Sequence, residues 1–274
     1  QNAGCWKGTR FQPIPVTRTA TKEQALKVLE NSDLFPGISA MSVPVRSYPS
    51  MAGENGAHVL GYVGSVNEED LLDTSKNYYR EETIGKDGLE LQYDEYLRGK
   101  AGIKTVIVDR KESVTKQAVS TQPVAGFNLV TNLDARLQAA TEKALKGAVL
   151  RAKAAGGRAD GGAAIVMDVN SGKILSLASY PTYDPNIWQI GLTQKQANNL
   201  YSENSGVPAL NRPLQGMYAP ASTFKSVSVV AAMNAGYNMN ASYKCPAKVQ
   251  IGNREFANFE SKAQGTINMK RAIA

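Results

Sequence analysis

The sequence predicts an α+β protein in two parts that meet near residue 122, and three observations carry this reading. The first half alternates short helical and extended segments between turn residues. The second half opens with a long alanine-rich stretch of helical pattern, followed by two strands joined by Asn170-Ser171-Gly172, so that a helix leads into an antiparallel hairpin. A loop bearing glycine and proline then runs through Tyr218-Ala219-Pro220-Ala221-Ser222-Thr223-Phe224-Lys225 into an apolar helix. With 274 residues, 42% hydrophobic and 20% charged, the chain has the composition of a globular protein of one large or two ordinary domains.

The elements follow in order. Thr21 and Gln24 form a capping box ahead of a helix carrying Ala25, Leu26, Val28 and Leu29. Residues 57–63 read as a buried strand. Leu89, Tyr93, Tyr96 and Leu97 recur at helical spacing, and Gly99 ends that helix. Residues 104–108 and 115–120 form a hairpin around Asp109-Arg110-Lys111-Glu112. Residues 127–131 are strand-like. Asp134 then caps the long helix, whose apolar face is Leu137, Ala140, Ala144, Leu145 and Ala148 and which ends near Gly156-Gly157. The two strands span 163–169 and 173–179, and 180–216 is a polar loop. The helix bearing Ser222 continues through Val227, Val229, Val230 and Met233 to Gly236. Thr266 caps a last helix from Ile267 through Met269, Ala272 and Ile273, which stops at Ala274 without a stop signal, as a truncated chain would.

Thirty-one basic residues against 24 acidic ones give a net charge of +7. The basic residues are scattered and form no run, which argues against nucleic acid as partner; an anionic cell surface and a merely soluble basic protein both remain open. The two cysteines, Cys5 and Cys245, lie far apart, and a disulfide between them is left open. No apolar run reaches the length of a membrane span and no signal peptide is visible. The opening Gln1-Asn2-Ala3-Gly4 reads as an expression remnant. His58, the sole histidine, lies in an apolar segment and reads as a core residue, so neither a Ser-His-Asp triad nor a zinc site is expected. Asp168, ahead of a turn, reads as structural, and Arg46 and Glu90 as an ion pair.

Ser222 and Lys225 stand three apart, on one face and about one turn from each other. A serine at a helix N-terminus lies beside unpaired backbone N–H groups, and a neutral lysine can take its proton, which is a layout for an acyl-enzyme. On that tetrad alone, an ordinary helix start with a solvated lysine is the better reading.

The flanking segments separate the two readings. Asn211-Arg212, Pro220 and Ser222 to Lys225, with Ala221 in place of the usual glycine, resemble the segment leading to the nucleophile in the transpeptidase domain of penicillin-binding proteins. Met167-Asp168, Ser171-Gly172-Lys173, Ala178-Ser179-Tyr180-Pro181 and Asp184-Pro185-Asn186 resemble its first hairpin and following loop. Arg46-Ser47-Tyr48-Pro49, residues 57–64, Gly88-Leu89-Glu90, Tyr93-Asp94, Leu97-Arg98-Gly99 and Gly102 resemble the pedestal of the class B, monofunctional members, in a pattern more like penicillin-binding protein 2 of elongation than a division enzyme.

The resemblance implies a pedestal over residues 1–121 and, over 122–274, the N-terminal part of a transpeptidase domain, an antiparallel sheet flanked by helices. It implies Ser222 as nucleophile toward the D-Ala-D-Ala of peptidoglycan stem peptides, Lys225 as base, and the Ser222 N–H as one oxyanion donor. Tyr218 and Thr223 become candidate substrate contacts, and Trp188 a groove or loop residue. β-Lactams would acylate Ser222, and no cofactor or metal is needed. The implied location is the outer face of a bacterial cytoplasmic membrane, reached through an upstream helix, with a membrane glycosyltransferase of the SEDS family as partner. The S-x-N and K-T-G motifs of the family do not follow Lys225 in this sequence, and the sheet strands beyond the first hairpin are missing, so these 274 residues are expected to be inactive by themselves. The alternative is a penicillin-binding sensor or a non-catalytic scaffold. A β-lactamase is weaker, because no base for deacylation is identifiable.

Overall fold

The computed structural model describes residues 14, 16, 17, 19–49, 56–80, 82–109, 114–189 and 191–273. Contacts gather the chain into two compact units, Gln1–Gly216 and Met217–Ala274.

In the larger unit, helix α1 (Lys22–Glu30) starts at the expected capping box: the Thr21 hydroxyl accepts from Gln24 N, and Gln24 Oε1 accepts from Thr21 N at 2.9 Å. None of its residues is buried. The expected strand over 57–63 is instead one helical turn, α2 (Ala57–Leu60), and only β1 (Val63–Ser65) is extended. Gly56 and Gly61 bracket the turn at φ of 61° and 77°, and a Cβ on Gly61 would overlap the Asp87 carbonyl, so the chain folds tightly back there. A short apolar run has no period that tells a helical turn from a strand.

Strand β1 pairs antiparallel with β2 (Thr83–Gly85). The single helix expected next is two, α3 (Gly88–Gln92) and α4 (Asp94–Leu97), broken at Tyr93. The break turns the Asp94 carboxylate inward, where it accepts from Gly85 N at 2.8 Å and from the Tyr78 hydroxyl at 2.9 Å. Arg98 closes this cluster, bridging Asp94 and Glu82 at 3.3 and 3.0 Å. The hairpin β3 (Ile103–Val108) and β4 (Val114–Thr121) forms as expected, while the middle of its expected turn, residues 110–112, lies outside the described residues. Residues 127–131 form no strand; Phe127 N bonds Tyr96 O at 3.0 Å, and the two rings stack at 4.9 Å.

Helix α5 (Ala135–Ala154) is capped by Asp134, whose carboxylate accepts from Arg136 N and Leu137 N at 2.8 and 2.9 Å; these bonds hold its pKa below the usual carboxylate range. It packs against the antiparallel pair β5 (Gly162–Met167) and β6 (Ile174–Tyr180). The face it buries differs from the expected one. Gln138, Ala139, Glu142 and Val149 are buried, whereas Ala140, Ala144 and Ala148 are exposed. The Gln138 amide accounts for the rotation: its Oε1 accepts from Leu177 N at 2.8 Å and its Nε2 donates to Leu177 O at 2.9 Å, like one more strand residue on β6.

The expected loop over 180–216 contains α6 (Gln194–Tyr201), with a second capping box at Thr193 and Gln196, and the short α7 (Arg212–Gln215). This region is tied to the first half of the chain. Asn186 grips the Tyr48 backbone on both sides, accepting from its N–H at 2.9 Å and donating to its carbonyl at 2.8 Å.

In the smaller unit, α8 (Lys225–Asn234) ends at Gly236, with φ 81°. Four strands follow that the sequence pattern did not announce: β7 (Ser242–Cys245) pairs with β10 (Gly265–Asn268), and β8 (Lys248–Ile251) with β9 (Arg254–Ala257). The last helix, α9 (Met269–Ile273), starts later than expected. Thr266 and Ile267 belong to β10, where Ile267 is buried, and the Asn268 carboxamide instead accepts from Arg271 N at 3.0 Å. Cys245 is half-buried and takes a weak bond from Asn258 Nδ2 at 3.4 Å; Cys5 lies outside the described residues.

Candidate active site

Ser222 lies in a 3₁₀ turn, Ala221–Phe224, that runs directly into α8 at Lys225, so it sits one turn ahead of the α-helix rather than at its first residue. In a 3₁₀ turn, side chains at i and i+3 eclipse each other, and that is the relation of Ser222 to Lys225. The turn is closed by Lys225 N donating to Ser222 O, by Thr223 N donating to Pro220 O at 3.1 Å, and by the Thr223 hydroxyl bonding the same carbonyl. Thr223 thus uses its hydroxyl locally. The carbonyls of the turn carry further hydroxyls: Ser226 Oγ donates to Thr223 O at 3.0 Å, and Ser228 Oγ to Phe224 O at 3.2 Å. Ala221 takes φ 46°, in the left-handed region.

Ser222, Thr223, Lys225 and Tyr218 are all exposed. Among the described residues, no hydrogen bond or ion pair engages the Ser222 hydroxyl or the Lys225 ammonium. The chain therefore sets the candidate nucleophile and candidate base three residues apart across one turn, with both side chains exposed.

The other residues singled out from the sequence lie in the larger unit. Arg46 pairs with Glu90 at 2.7 Å, and Tyr48 joins them, its hydroxyl 3.3 Å from Glu90 and 3.0 Å from Val63 N. His58 is 2% exposed, with Nε2 donating to Pro208 O at 2.7 Å and its ring edge-on to Tyr183. Asp168 organises its turn, accepting from Asn170 N at 3.0 Å and Ser171 Oγ at 2.6 Å. Trp188 stacks on Tyr62 at 3.9 Å, and burial pushes the Tyr62 phenol up to about 12. Arg212 is buried, and its guanidinium binds the carbonyls of Gly206, Val207 and Leu210. Sequence reasoning missed Gln138 and Glu142. The signal was there: two polar residues four apart, beside Leu145 and Val149 on the inward side of an amphipathic helix.

Comparison with known proteins shows the family of the chain. Residues 2–131 match the family model of the penicillin-binding protein dimerisation domain, and residues 162–274 that of the penicillin-binding protein transpeptidase domain. Peptidoglycan D,D-transpeptidase MrdA of Escherichia coli K12 is 32% identical over 272 residues, covering 96% of this chain and 41% of that protein. Peptidoglycan D,D-transpeptidase FtsI of the same strain is 31% identical over 202 residues, covering 74% of this chain and 28% of that one. Among solved structures, the complex between penicillin-binding protein 2 and MreC from Helicobacter pylori is similar, with a TM-score of 0.60 and 29% identity over 79% of this chain and 38% of that one. So is a structure of a peptidoglycan synthase complex described as coordinating polymerisation and cross-linking, with a TM-score of 0.62 and 32% identity over 80% of this chain and 38% of that one. The chain spans about two-fifths of the length of the curated relatives it matches. The chain belongs to the penicillin-binding proteins that join a dimerisation domain to a transpeptidase domain, and it is similar to their penicillin-binding protein 2 members.

Proposed function

We propose that this sequence belongs to a peptidoglycan D,D-transpeptidase of cell elongation, in which Ser222 attacks the carbonyl between the two terminal D-alanines of a stem peptide. Lys225 takes the hydroxyl proton and the terminal D-alanine leaves. An amine of a second stem peptide then accepts the acyl group, which frees the serine and forms the cross-link. The backbone N–H of Ser222 is one oxyanion donor, and Tyr218 and Thr223 line the approach. Residues 1–121 serve as pedestal and 122–274 as the first part of the catalytic domain. β-Lactams acylate the same serine. The elongation role is supported by the MrdA relatives, which match 96% of the chain against 74% for FtsI. The enzyme works at the outer face of the bacterial cytoplasmic membrane beside a SEDS-family glycosyltransferase.

The observation that carries this reading is the Ser222–Lys225 pair across a 3₁₀ turn at the head of α8. By themselves, these 274 residues are inactive, because they contain neither S-x-N nor K-T-G after Lys225 and leave the pair exposed. The same exposure favours, for this stretch alone, the second reading of a binding or scaffolding module. Intact-mass analysis with benzylpenicillin separates the two. A chain continued through both motifs to the relatives' length acquires one adduct, located on Ser222 and lost in Ser222→Ala, while the 274-residue chain acquires none. An adduct elsewhere, or none on the longer chain, refutes the enzyme.

A further inference from the structure

The net charge of +7 looks scattered in the sequence, but helix geometry gathers much of it. Six basic residues stand between positions 134 and 158: Arg136, Lys143, Lys146, Arg151, Lys153 and Arg158; the only acids there are Asp134 and Glu142. Of these acids only Glu142 is turned inward; Asp134 is exposed at the first turn, close enough to Arg136 to feel its charge. Asp134 caps the helix, and Glu142 is buried, accepting from Gly56 N at 3.0 Å. All six basic residues are exposed. Among the described residues, one of the six meets a carboxylate, Lys153, 3.3 Å from Asp160.

At about 100° per residue, Arg136, Lys143 and Arg151 fall within about 80° of one another around α5, in steps of roughly 10 and 12 Å, with Lys146 and Lys153 in a second row to one side. Ala140 and Gly147 keep the surface among the first three low, and the exposed Ala144 and Ala148 border it on the side away from the second row. Leu150 is the only long apolar side chain exposed along α5, and no aromatic ring accompanies it. A bilayer would find little to take up here and a nucleic-acid base nothing to stack on. An extended acidic polymer meets a cation at each step. The helix also lies between the two stretches that the family models match, 2–131 and 162–274.

We propose that the outward face of α5 is a docking surface for un-cross-linked peptidoglycan strands, held through the carboxylates that end their stem peptides. The identity of the polymer rests on the transpeptidase reading. Each stem ending in D-Ala-D-Ala carries a terminal carboxylate, so a strand bearing several stems is a polyanion. The Arg136 and Arg151 guanidinium groups can take such carboxylates in two-point bonds, and the lysines act as point charges.

The test measures binding of fluorescent, soluble, un-cross-linked glycan strands with D-Ala-D-Ala stems to the 274-residue chain over a range of salt. The variant Arg136→Gln/Lys143→Gln/Lys146→Gln/Arg151→Gln should bind at least about tenfold more weakly, with a salt slope flatter by about one for each carboxylate that is no longer neutralised. Circular dichroism checks that it is folded. The control Lys22→Gln/Lys27→Gln/Lys195→Gln/Lys244→Gln removes equal charge from other exposed positions and should keep its affinity. Strands stripped of their stems by an amidase should not bind. The inference is overturned if the control weakens binding as much as the α5 variant, if stripped strands bind equally well, or if inorganic polyphosphate binds more tightly than the strands. The penicillin adduct is read separately, so failure of the transpeptidase reading and failure of this surface give different results.

Discussion

At the scale of single residues, the spacing of Ser222 and Lys225 was legible in the sequence, but the backbone beneath them was not. Alanine in place of the family's glycine at 221 reads as a small change. The structure puts that residue at φ 46°, where a Cβ crowds the following carbonyl and glycine does not. The strain lies immediately before Ser222, in a turn held by Thr223 and Pro220. Ala221→Gly relieves it at some cost in unfolded-chain entropy, so the net gain expected for the smaller unit is about 0.5–1 kcal/mol. A urea titration reads this as a higher midpoint with an unchanged slope; an equal or lower midpoint would show that alanine sits at this φ without strain. A φ angle of this kind leaves no mark in the sequence, because alanine is ordinary in every other context.

At the scale of elements, what could be read followed from signals carried by a few neighbouring residues. The capping box at Thr21, the Asp134 cap and the alternation of β3 with β4 and β5 with β6 are local patterns, and each formed where expected. Residues 57–63 and Ile267 failed for the opposite reason, since their conformation is decided by distant partners, the Asp87 carbonyl and strand β7. Helix α5 combines both cases. Its ends are local and were legible; its rotation is set by Gln138, which bonds Leu177 on both backbone groups, accepts from Ser176 Oγ at 3.1 Å and donates to Glu142 at 2.7 Å. The count of apolar positions alone pointed to another face, and only the polar pair Gln138 and Glu142, four apart beside Leu145 and Val149, marked the buried side. Replacing Gln138 by an isosteric apolar residue leaves those buried groups without partners, which is worse than losing the bonds alone. Gln138→Leu is therefore expected to destabilise the larger unit by about 3 kcal/mol, despite adding apolar surface. Urea unfolding measures the loss, and faster hydrogen exchange at the Leu177 amide locates it; stability within a few tenths of wild type would mean that packing, not the amide, sets the rotation.

At the scale of the larger unit as a whole, segments distant in sequence are joined by buried polar bonds rather than by a broad apolar core. Asn186 clamps Tyr48, Glu142 accepts from Gly56 N, and Asn211 Nδ2 donates to His58 O at 2.9 Å. His58 completes the set through Pro208. Such a unit should be sensitive to pH, and the direction follows from the surroundings of the imidazole. Burial, the largest influence, disfavours its charged form; the Pro208 carbonyl and Asp87 act the other way, and Arg212 adds to the depression, so the folded pKa lies below the ordinary 6.5. Between the two pKa values the unfolded chain binds the extra proton, and stability rises with pH. The His58 contribution is thus complete above about 6.5 and declines as the pH falls below that value toward the folded pKa, with a slope of at most about 1.4 kcal/mol per unit for one proton. His58 is the sole histidine, so a single substitution isolates the effect. Thermal unfolding between pH 7.5 and 5.5 should show Tm falling with acid in the wild type and a nearly level Tm in His58→Gln. The Gln amide can still donate toward Pro208, which separates titration from loss of the bond. Equal slopes in the two proteins would mean that other groups titrate and that His58 is silent in this range.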